Sequence, residues 1–386
     1  MKKKILFWSF VACLLIGNSV SSIEKESLAQ LYESGRMQFV QELEITDDSL
    51  PGELFFQNPF SLANHASGTV FIGDWGIDHL KVFSKEGEFQ KTIGRKGQGP
   101  GEFFNVSNIE VSSERILVWE AGNKRISFLN LMGEYIKSIK FGSGMEFPMK
   151  IRALPDGKIV IGVEKQIEDT EGYLQQYRLD LYSKDLEYLN TLFEKKQVRA
   201  IRIRNPVNAH IPQPFNPQVY WDVTPDGKIV VGFSGDYRIE IYDPTRGRQR
   251  IFEHNYVPVK VTSEDRTGHF SKMTVLENIN GVRTVKQGAP DYIVNNTKFP
   301  KVKSAFRGII VDCEGNIWVF PHHKDRKDEK NQIDVFLPDG TFINRVRVDD
   351  GIENLYYKMS RMIDHSFWLI ERNEETFQVV KYRISR

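Results

Sequence analysis

Two sets of residues in this sequence have side chains that could bind or react. Asn108, Glu110 and Asp222 carry the oxygen ligands that hard divalent cations prefer. Lys150 and Arg152 carry positive charges, which oppose a cation and favour a carboxylate or a phosphate. The sequence therefore offers two opposite kinds of site. Which of them forms depends on how the chain brings these five residues together.

Further candidate residues fall in predicted links between strands. Trp75, within residues 74–78, is the best aromatic anchor for a sugar or a peptide. Arginine has paired donors that suit a carboxylate or a phosphate. The arginines predicted to lie near one opening are Arg95, Arg199, Arg202 and Arg204. Acidic residues are almost as numerous as basic ones, so structural ion pairing is the alternative to an anion site.

The common catalytic motifs are absent: the sequence has no H-E-x-x-H, no G-x-S-x-G and no Walker-type Gly-Lys-Ser/Thr. The glycine-rich run 97–101 is a poor phosphate loop, because Pro100 removes a backbone donor and no helix pattern follows. We predict a turn between two sheets, with Phe103 packed between them. His322 and His323 would point to opposite faces of a strand, so we predict a solvated, charged loop there rather than a metal site.

The elements that must position these residues are repeats of one short antiparallel sheet. An alternating apolar pattern that ends in an aromatic residue occurs six times, at residues 80–83, 125–128, 179–182, 239–242, 333–336 and 379–382. Tight turns into a strand, such as Asp156-Gly157 and Asp226-Gly227, precede most copies. Self-similarity at about 40 to 50 residues is the signature of a propeller. We predict an all-β, six-bladed β-propeller.

Extra chain lies between these strands in four places, at residues 164–177, 194–218, 255–306 and 321–331. In a propeller, the links from second to third strand and from one blade to the next emerge on the same face. We call this the insertion-bearing face and expect function there. In the third insertion, a serine followed by acids at 263–265 and apolar residues from 270 to 276 predict a short helix over the disc.

Residues 74–135 resemble the NHL-type repeat of six-bladed propellers. The G-x-G-P-G-x-F turn of that repeat is present at residues 97–103, and its Asn-x-Arg-Ile strand start is present at residues 123–128. The resemblance implies a propeller similar to a large set of uncharacterised bacterial members of this family. It implies nothing definite about a ligand.

The oxygen-bearing set resembles a second kind of propeller. Asn108, Glu110 and Asp222 are similar in kind to the Glu/Asn/Asp set with which gluconolactonase-type propellers hold a divalent cation. That resemblance implies a metal-dependent hydrolase or lyase with an axial site, which we keep as the alternative function. Lys150 and Arg152 would share the same ring, and their charge opposes a cation. We therefore favour a protein that uses no metal or other cofactor and is not an enzyme.

The N-terminus has the composition of a cleavable secretory signal. A basic patch at residues 2–4 precedes an apolar run at residues 5–16, and Ser21 offers a cleavage site, so residues 1–21 are the predicted signal peptide. Lipid anchoring at Cys13 is the alternative. No other apolar run approaches the length of about 18 to 20 residues that a membrane span needs. We predict an exported protein of the periplasm or the cell surface.

The two ends of the chain are predicted to close the ring. Residues 22–36 form a lead segment, and residues 37–386 form the propeller. Few residues follow Tyr382, so the sixth blade needs an outermost strand from elsewhere. Residues 37–45 have strand composition and belong to no other blade. Pairing the two ends would remove free sheet edges. Cys313 is the single cysteine after the signal, so we expect no internal disulfide.

A formal net charge of +1, from 52 basic and 51 acidic residues, argues against nucleic-acid binding. We predict a monomeric binding module for a protein, a peptide or a glycan, with an anionic ligand among the candidates. A structural propeller of the cell envelope is a third option. The ligand should sit over the axial mouth of the insertion-bearing face, contacted by Trp75, Arg95, Lys150 and Arg152 and flanked by residues 199–204, including Arg202 and Arg204. Replacing Lys150 and Arg152 by Met should then abolish binding without changing the melting temperature.

Overall fold

The repeated apolar patterns form the strands of a ring of antiparallel sheets, the blades of a propeller. A computed structural model of the protein describes residues 27–142, 146–169, 172–203, 209–279, 282–323, 332–349, 360–363, 365–372 and 376–385. The predicted signal, residues 1–21, lies outside these ranges, as does Cys13. Within them, no helix combines the length and the apolar character needed to cross a membrane.

Two elements precede the first blade. Helix α1 spans Leu28–Glu33 and strand β1 spans Arg36–Ile45. The helix lies in the predicted lead segment, where no helix was expected. Leu28, Leu31 and Tyr32 bury their side chains in the same apolar cluster as Met37 of β1. A short 3-10 turn follows at Asp47–Ser49.

Blades one and two follow the sequence pattern closely. Blade one consists of β2 (Pro59–Asn64), β3 (Val70–Asp74), β4 (His79–Phe83) and β5 (Phe89–Ile93). Blade two consists of β6 (Val106–Val111), β7 (Arg115–Glu120), β8 (Arg125–Asn130) and β9 (Tyr135–Lys140). The second strand of each blade is almost wholly buried, because it packs against sheets on both sides.

The glycine-rich run between these blades is an inter-blade turn, as predicted. Phe103 is fully buried between the two sheets. The guanidinium of Arg125 donates at 2.8–2.9 Å to three carbonyl oxygens of the turn, those of Gln98, Gly99 and Glu102. These hydrogen bonds hold the turn in one conformation against blade two.

Blades three and four carry the first insertions. Blade three consists of β10 (Glu146–Ala153), β11 (Ile159–Asp169), β12 (Gly172–Tyr182), β13 (Tyr188–Ile203) and a short β14 (Ala209–Pro212). Blade four consists of β15 (Val219–Val223), β16 (Ile229–Phe233), β17 (Arg238–Asp243) and β18 (Gly247–Glu253). Strands β11 and β12 pair without interruption from Ile159↔Tyr182 to Asp169↔Gly172. The insertion at residues 164–177 is therefore an extension of this hairpin.

The insertion at residues 255–306 contains helix α2 (Ser263–Ser271), the strands β19 (Thr274–Ile279) and β20 (Val282–Gln287), and helix α3 (Asp291–Asn296). Thr262 and Asp265 form a capping box at the start of α2, each side chain accepting from the other's backbone N–H. The predicted helix is confirmed for residues 263–271.

The prediction was wrong beyond residue 271. Val275 and Leu276 lie in β19, which pairs with β20 in a separate two-stranded sheet. The sequence Asn280-Gly281 is a strong hairpin signal that the helical interpretation overlooked. The hairpin joins no blade, so the number of blades stays at six.

Blades five and six share β1. Blade five consists of β21 (Phe306–Val311), β22 (Ile317–Pro321), β23 (Gln332–Phe336) and β24 (Phe342–Asp349). Blade six consists of β25 (Ser360–Ile363), β26 (Ser366–Arg372) and β27 (Phe377–Ser385), with β1 as its outermost strand. Strand β1 pairs antiparallel with β27, with Gln41 opposite Tyr382, and parallel with the end of β24. The predicted closure of the ring by the N-terminal strand is confirmed.

The six aromatic-ended patterns are the third strands of the six blades, namely β4, β8, β12, β17, β23 and β27. Their positions fix the two faces of the disc. Links from second to third strands, and from blade to blade, lie on the insertion-bearing face. Turns between first and second strands lie on the opposite face, which we call the turn face.

Candidate functional site

The first strands of neighbouring blades lie side by side around the axis, and polar side chains tie them together. Among the described residues, four side chains of these strands accept a hydrogen bond from a backbone N–H of the next blade's first strand. Ile109 N–H donates to Ser61 at 2.8 Å, and Ile151 N–H donates to Asn108 at 3.3 Å. Ala153 N–H donates to Glu110 at 3.2 Å, and Val311 N–H donates to Asp222 at 3.3 Å. The structure thus places Asn108, Glu110 and Asp222 on the inner wall of the ring, as the alignment of the strands predicted.

Five charged side chains from four blades form one network, which we call the axial cluster: Glu110, Lys150, Arg152, Asp222 and Arg361. Lys150 Nζ lies 2.9 Å from Asp222 Oδ1. Arg152 bridges the two acids, with Nε 3.2 Å from Asp222 and Nη1 3.5 Å from Glu110. Arg361 donates two hydrogen bonds to the carboxylate of Glu110, at 2.7 and 3.0 Å. The cluster links the first strands of blades two, three, four and six.

Burial and mutual charge control protonation in the cluster. Burial lowers the pKa of Lys150 to about 8; Asp222 opposes this shift, whereas Arg152 adds to it. Burial raises the pKa of Asp222, but Lys150 and Arg152 outweigh that effect and hold it at about 2. Burial lowers the pKa of Arg361, but Glu110 more than compensates and raises it above its ordinary value. Asp222 is therefore ionised at neutral pH, and Lys150 loses its charge above about pH 8.

The axial cluster has an excess of positive charge and of donors. Three cations face two carboxylates, which leaves a surplus of one positive charge. Lys150 uses two of its three N–H groups, on the Trp221 carbonyl at 2.6 Å and on Asp222. Arg152 bonds through Nε and Nη1, and its Nη2 has no partner among the described residues. The cluster can therefore accept an anion without losing any of its existing bonds.

A cavity of about 220 Å³ lies beside the cluster at the insertion-bearing end of the inner strands; we call it the insertion-side cavity. Lys150 and Arg152 line it together with Asn108 and Ser360, and the remaining wall includes the aromatic rings of Phe60, Trp119 and Phe147. Ser360 is 7% exposed, and its hydroxyl has no hydrogen-bond partner among the described residues. A buried polar group without a partner is costly, so this hydroxyl indicates a place for a ligand or a water molecule.

A larger cavity of about 580 Å³ opens on the turn face; we call it the turn-side cavity. Its inner end is formed by Glu110, Arg152, Asp222 and Arg361, and the turns between first and second strands surround its mouth. Cys313 lines it too, with its sulfur 3.7 Å from His365 Nδ1. The axial cluster thus stands between two cavities, and Arg152 borders both.

Trp75 and Arg95, also in the predicted ligand-binding set, do not line the insertion-side cavity. Trp75 is 38% exposed and packs edge to face on Phe60, a wall residue of the insertion-side cavity, at 5.8 Å. Arg95 is exposed in the link between blades one and two and pairs with Glu102 at 2.9 Å. Arg202 lies on β13, opposite His210 of β14. Arg204 lies outside the described residues. Among the members of the predicted ligand-binding set that the structure describes, Lys150 and Arg152 line the cavity.

The geometry also bears on the alternative metal site. The carboxylates of Glu110 and Asp222 are occupied by cationic side chains, and the amide oxygen of Asn108 accepts from Ile151. Within the described ranges, no group of three His, Cys, Asp or Glu residues has an arrangement suited to a metal ion. A cation here would have to displace Lys150, Arg152 or Arg361 from their carboxylates.

Sequence reasoning missed Arg361 and Ser360, which both lie on the first strand of blade six. That strand is short, and the links before it gave no repeat motif by which to align it. A usable signal was present, since residues 360–363 precede the polar run Asp364-His365-Ser366 and the buried strand that follows. Treating that run as the turn between first and second strands would have placed Arg361 on the axis.

His322 and His323 differ from the prediction of a solvated loop. Both are partly buried and line a third cavity, of about 810 Å³, between blade five and the insertion 255–306. Lys303, which pairs with Asp265 at 3.2 Å, lies in the same cavity. The remainder of the predicted loop, residues 324–331, lies outside the described residues.

Comparisons with known proteins agree with the fold. Residues 29–220 match a family model described as a 6-bladed beta-propeller. No curated protein matches the sequence. The chain is thus similar to a propeller family whose description names an architecture and no activity.

Solved structures similar to this chain are also propeller-like. A Bacteroides fragilis protein described as exported is 13% identical, with a TM-score of 0.51, over 91% of this chain and 94% of that one. A member of the duf4221 family from Bacteroides vulgatus is 11% identical, with a TM-score of 0.50, over 91% and 99%. A PQQ-bound aldose sugar dehydrogenase from Streptomyces coelicolor has a TM-score of 0.46 at 11% identity, over 91% and 99%. Such low identities show the fold alone, and folds of this kind host many functions.

Proposed function

We propose that this protein is an exported binding module that holds an anionic group of its ligand in the insertion-side cavity. The observation that carries the proposal is the axial cluster. Its three cations outnumber its two carboxylates, and Lys150 and Arg152 keep unused donors where they line the cavity. An anion placed there would neutralise the surplus charge.

The surroundings of the cluster strengthen such an interaction. Lys150 and Arg152 have side chains only 12% and 13% exposed, so water screens their charges weakly. A concave mouth with a low-dielectric wall also concentrates the field, although the whole protein is almost neutral. Both cations are held in place by Asp222. The site is therefore preorganised for an anion.

Other features complete the proposal. Trp75 packs on Phe60, a residue of the cavity wall, and we place it at the rim of the site. Arg95 pairs with Glu102 in the link between blades one and two and does not line the cavity. Export rests on the predicted signal and on the similarity to a Bacteroides fragilis protein described as exported. The NHL-like character of residues 74–135 and a monomeric state belong to the same proposal, as does a protein, peptide or glycan as the ligand.

Lys150 and Arg152 are both paired with acids, the structural alternative that the sequence left open. Replacing both by Met would leave Asp222 buried without a charged partner and would also lower the melting temperature, so the sequence-based expectation of an unchanged melting temperature was wrong.

The test therefore uses a charge-balanced variant. Lys150→Met with Asp222→Asn removes one charge of each sign, so it keeps the surplus of one positive charge and removes the Lys150 ammonium that we expect the anion to contact. Three probes, glucuronate, N-acetylglutamate and inorganic phosphate, are titrated calorimetrically into the mature protein and into this variant. We expect at least one probe to bind the wild type and to lose about tenfold or more in affinity in the variant.

The matched control is Lys228→Met with Asp226→Asn, which removes an exposed pair at 2.6 Å on a turn of blade four. This control should bind as the wild type does. Failure of all three probes to bind the wild type would contradict the proposal. Equal binding by the Lys150/Asp222 variant and the wild type would contradict it as well.

A further inference from the structure

We propose that the anionic group is the carboxylate of a uronic acid, so that the insertion-side cavity holds one uronate residue of a glycan. This inference rests on the proposed function and narrows it to one ligand class. The carboxylate would meet Lys150, Arg152 and Ser360, and the sugar ring would lie against Phe60 and Phe147 at the mouth.

The first step concerns charge. The surplus of the axial cluster is one positive charge, so a monoanion neutralises it completely. A phosphate ester carries about 1.5 to 2 negative charges at neutral pH and would leave a buried negative excess. A carboxylate carries one. The charge count therefore favours a carboxylate over a phosphate.

The second step concerns the unpartnered hydroxyl. Ser360 is only 7% exposed, and its Oγ has no hydrogen-bond partner within the described part of the chain. It lines the same cavity as Lys150 and Arg152. A hydroxyl both donates and accepts, so it suits a carboxylate oxygen or a sugar hydroxyl equally. The Asn108 side chain, on the same wall, can also donate its amide protons to sugar oxygens.

The third step concerns the apolar wall. Phe60, Trp119 and Phe147 line the cavity, and Trp75 packs on Phe60 from outside. Phe147 is 41% exposed and Trp75 is 38% exposed, so each ring has surface that a ligand at the cavity could cover. Flat aromatic faces suit the apolar C–H faces of a sugar ring. Neither a phosphate nor the short side chain of an acidic peptide would cover these rings.

The fourth step concerns size. At about 220 Å³, the cavity is smaller than the roughly 300 to 1,000 Å³ of pockets for drug-sized ligands. It therefore admits a single ring with its carboxylate. The mouth opens on the insertion-bearing face, so the rest of a glycan chain would continue outward past Phe147 and Trp75.

The experiment compares matched ligands with the mature protein. Glucuronate and galacturonate are titrated alongside glucose and galactose, which lack the carboxylate, and alongside N-acetylglutamate and phosphate, which lack the ring. We expect at least one uronate to bind about tenfold or more tightly than its neutral sugar and than either ring-free anion. Phe147→Ala should weaken uronate binding about tenfold and leave the weak binding of the ring-free anions unchanged.

Two further variants test the details. Ser360→Ala should weaken uronate binding about fivefold, because one hydrogen bond to the ligand is lost. Cys313→Ala alters only the turn-side cavity and should bind uronate as the wild type does. Unchanged melting temperatures for all three variants would show that folding is not the cause of any loss.

The outcomes separate the two proposals. If N-acetylglutamate or phosphate binds at least as tightly as both uronates, the uronate assignment is wrong while an anion-binding function stands. Equal binding of uronates and neutral sugars would overturn both, since the charge would then contribute nothing. Loss of uronate affinity in Cys313→Ala but not in Phe147→Ala would place the ligand in the turn-side cavity and overturn the inference.

Discussion

At the scale of single residues, the central feature is a buried lysine whose charge is only just retained. Burial lowers the pKa of Lys150 to about 8, and the positive charges of Arg152 and Arg361 add to this shift. The pKa of an isolated lysine is about 10.4. The positive surplus of the axial cluster therefore exists at neutral pH and disappears in mild alkali.

The first prediction concerns the pH dependence of anion binding. Between pH 7 and pH 9, Lys150 passes through its pKa of about 8 and becomes neutral. We expect the affinity for a carboxylate probe to fall about tenfold over this interval, because the probe needs the protonated lysine. Calorimetric titration at a series of pH values measures this. The Lys150→Met/Asp222→Asn variant should show no such decline; a flat profile for the wild type would rule out Lys150 as the anion-binding cation.

At the scale of elements, the sequence repeats predicted the strands well and the contacts between them poorly. The aromatic-ended patterns became the third strands, and the glycine-rich run became an inter-blade turn. The four residues Glu110, Lys150, Arg152 and Asp222 were placed on the inner wall from turn spacing alone, because alternation fixes which side chains face the axis. Arg361 comes from a blade distant in sequence, so local patterns could not show that it pairs with Glu110.

The same limit explains the insertion at residues 255–306. Its helix start was visible in the sequence because a capping box is local. The hairpin after Ser271 was missed, since apolar residues at 273, 275 and 276 suit a helix and a strand equally well. Helix α3 has only 6 residues, fewer than two turns, and its N-cap residue makes no side-chain hydrogen bond, so the sequence carries no clear signal for it.

The second prediction concerns the joint between blades one and two. Arg125 donates to Glu120, which is fully buried, and to three carbonyl oxygens of the glycine-rich turn. Arg125→Met should lower the free energy of unfolding by about 3 kcal/mol, because it leaves a buried carboxylate without its charged partner. Chemical denaturation measures the loss.

The control for that prediction is Arg248→Met. Arg248 is half exposed and makes one longer ion pair, 3.3 Å from Glu240. Its removal should cost much less stability than that of Arg125, because water screens an exposed ion pair. If both substitutions have the same small effect, Arg125 does not hold the turn in the way that its hydrogen bonds suggest.

At the scale of the whole molecule, one strand from the N-terminus holds the ring closed. Strand β1 pairs with β27 of blade six and with the end of β24 of blade five. Met37 and Ile45, on β1, are fully buried in two different apolar clusters. The strand therefore belongs to the core at two places, and it covers edges that two blades would otherwise expose.

The third prediction concerns this closure. A truncate that begins after Ile45 loses β1 and α1. Each large apolar side chain that these two elements bury contributes about 1.5 to 3 kcal/mol to stability. Since domains are stable by only about 5 to 15 kcal/mol, we expect an insoluble or largely unfolded product. A truncate that begins at Ser27 keeps β1 and should melt cooperatively. Equal melting temperatures for the two truncates would show that β1 does not close the ring.

The most direct test of an anion site at the axial cluster is the pKa of Lys150 itself. Carbon-13 labelling of the lysine side chains allows its titration to be followed by NMR, and Lys150→Met assigns the signal. We predict a midpoint near pH 8 in the free protein and a rise of about one unit or more with saturating glucuronate, because a bound anion favours the charged lysine. A midpoint that glucuronate, N-acetylglutamate and phosphate all leave unchanged would mean that no anion binds beside Lys150, and it would contradict the proposed function.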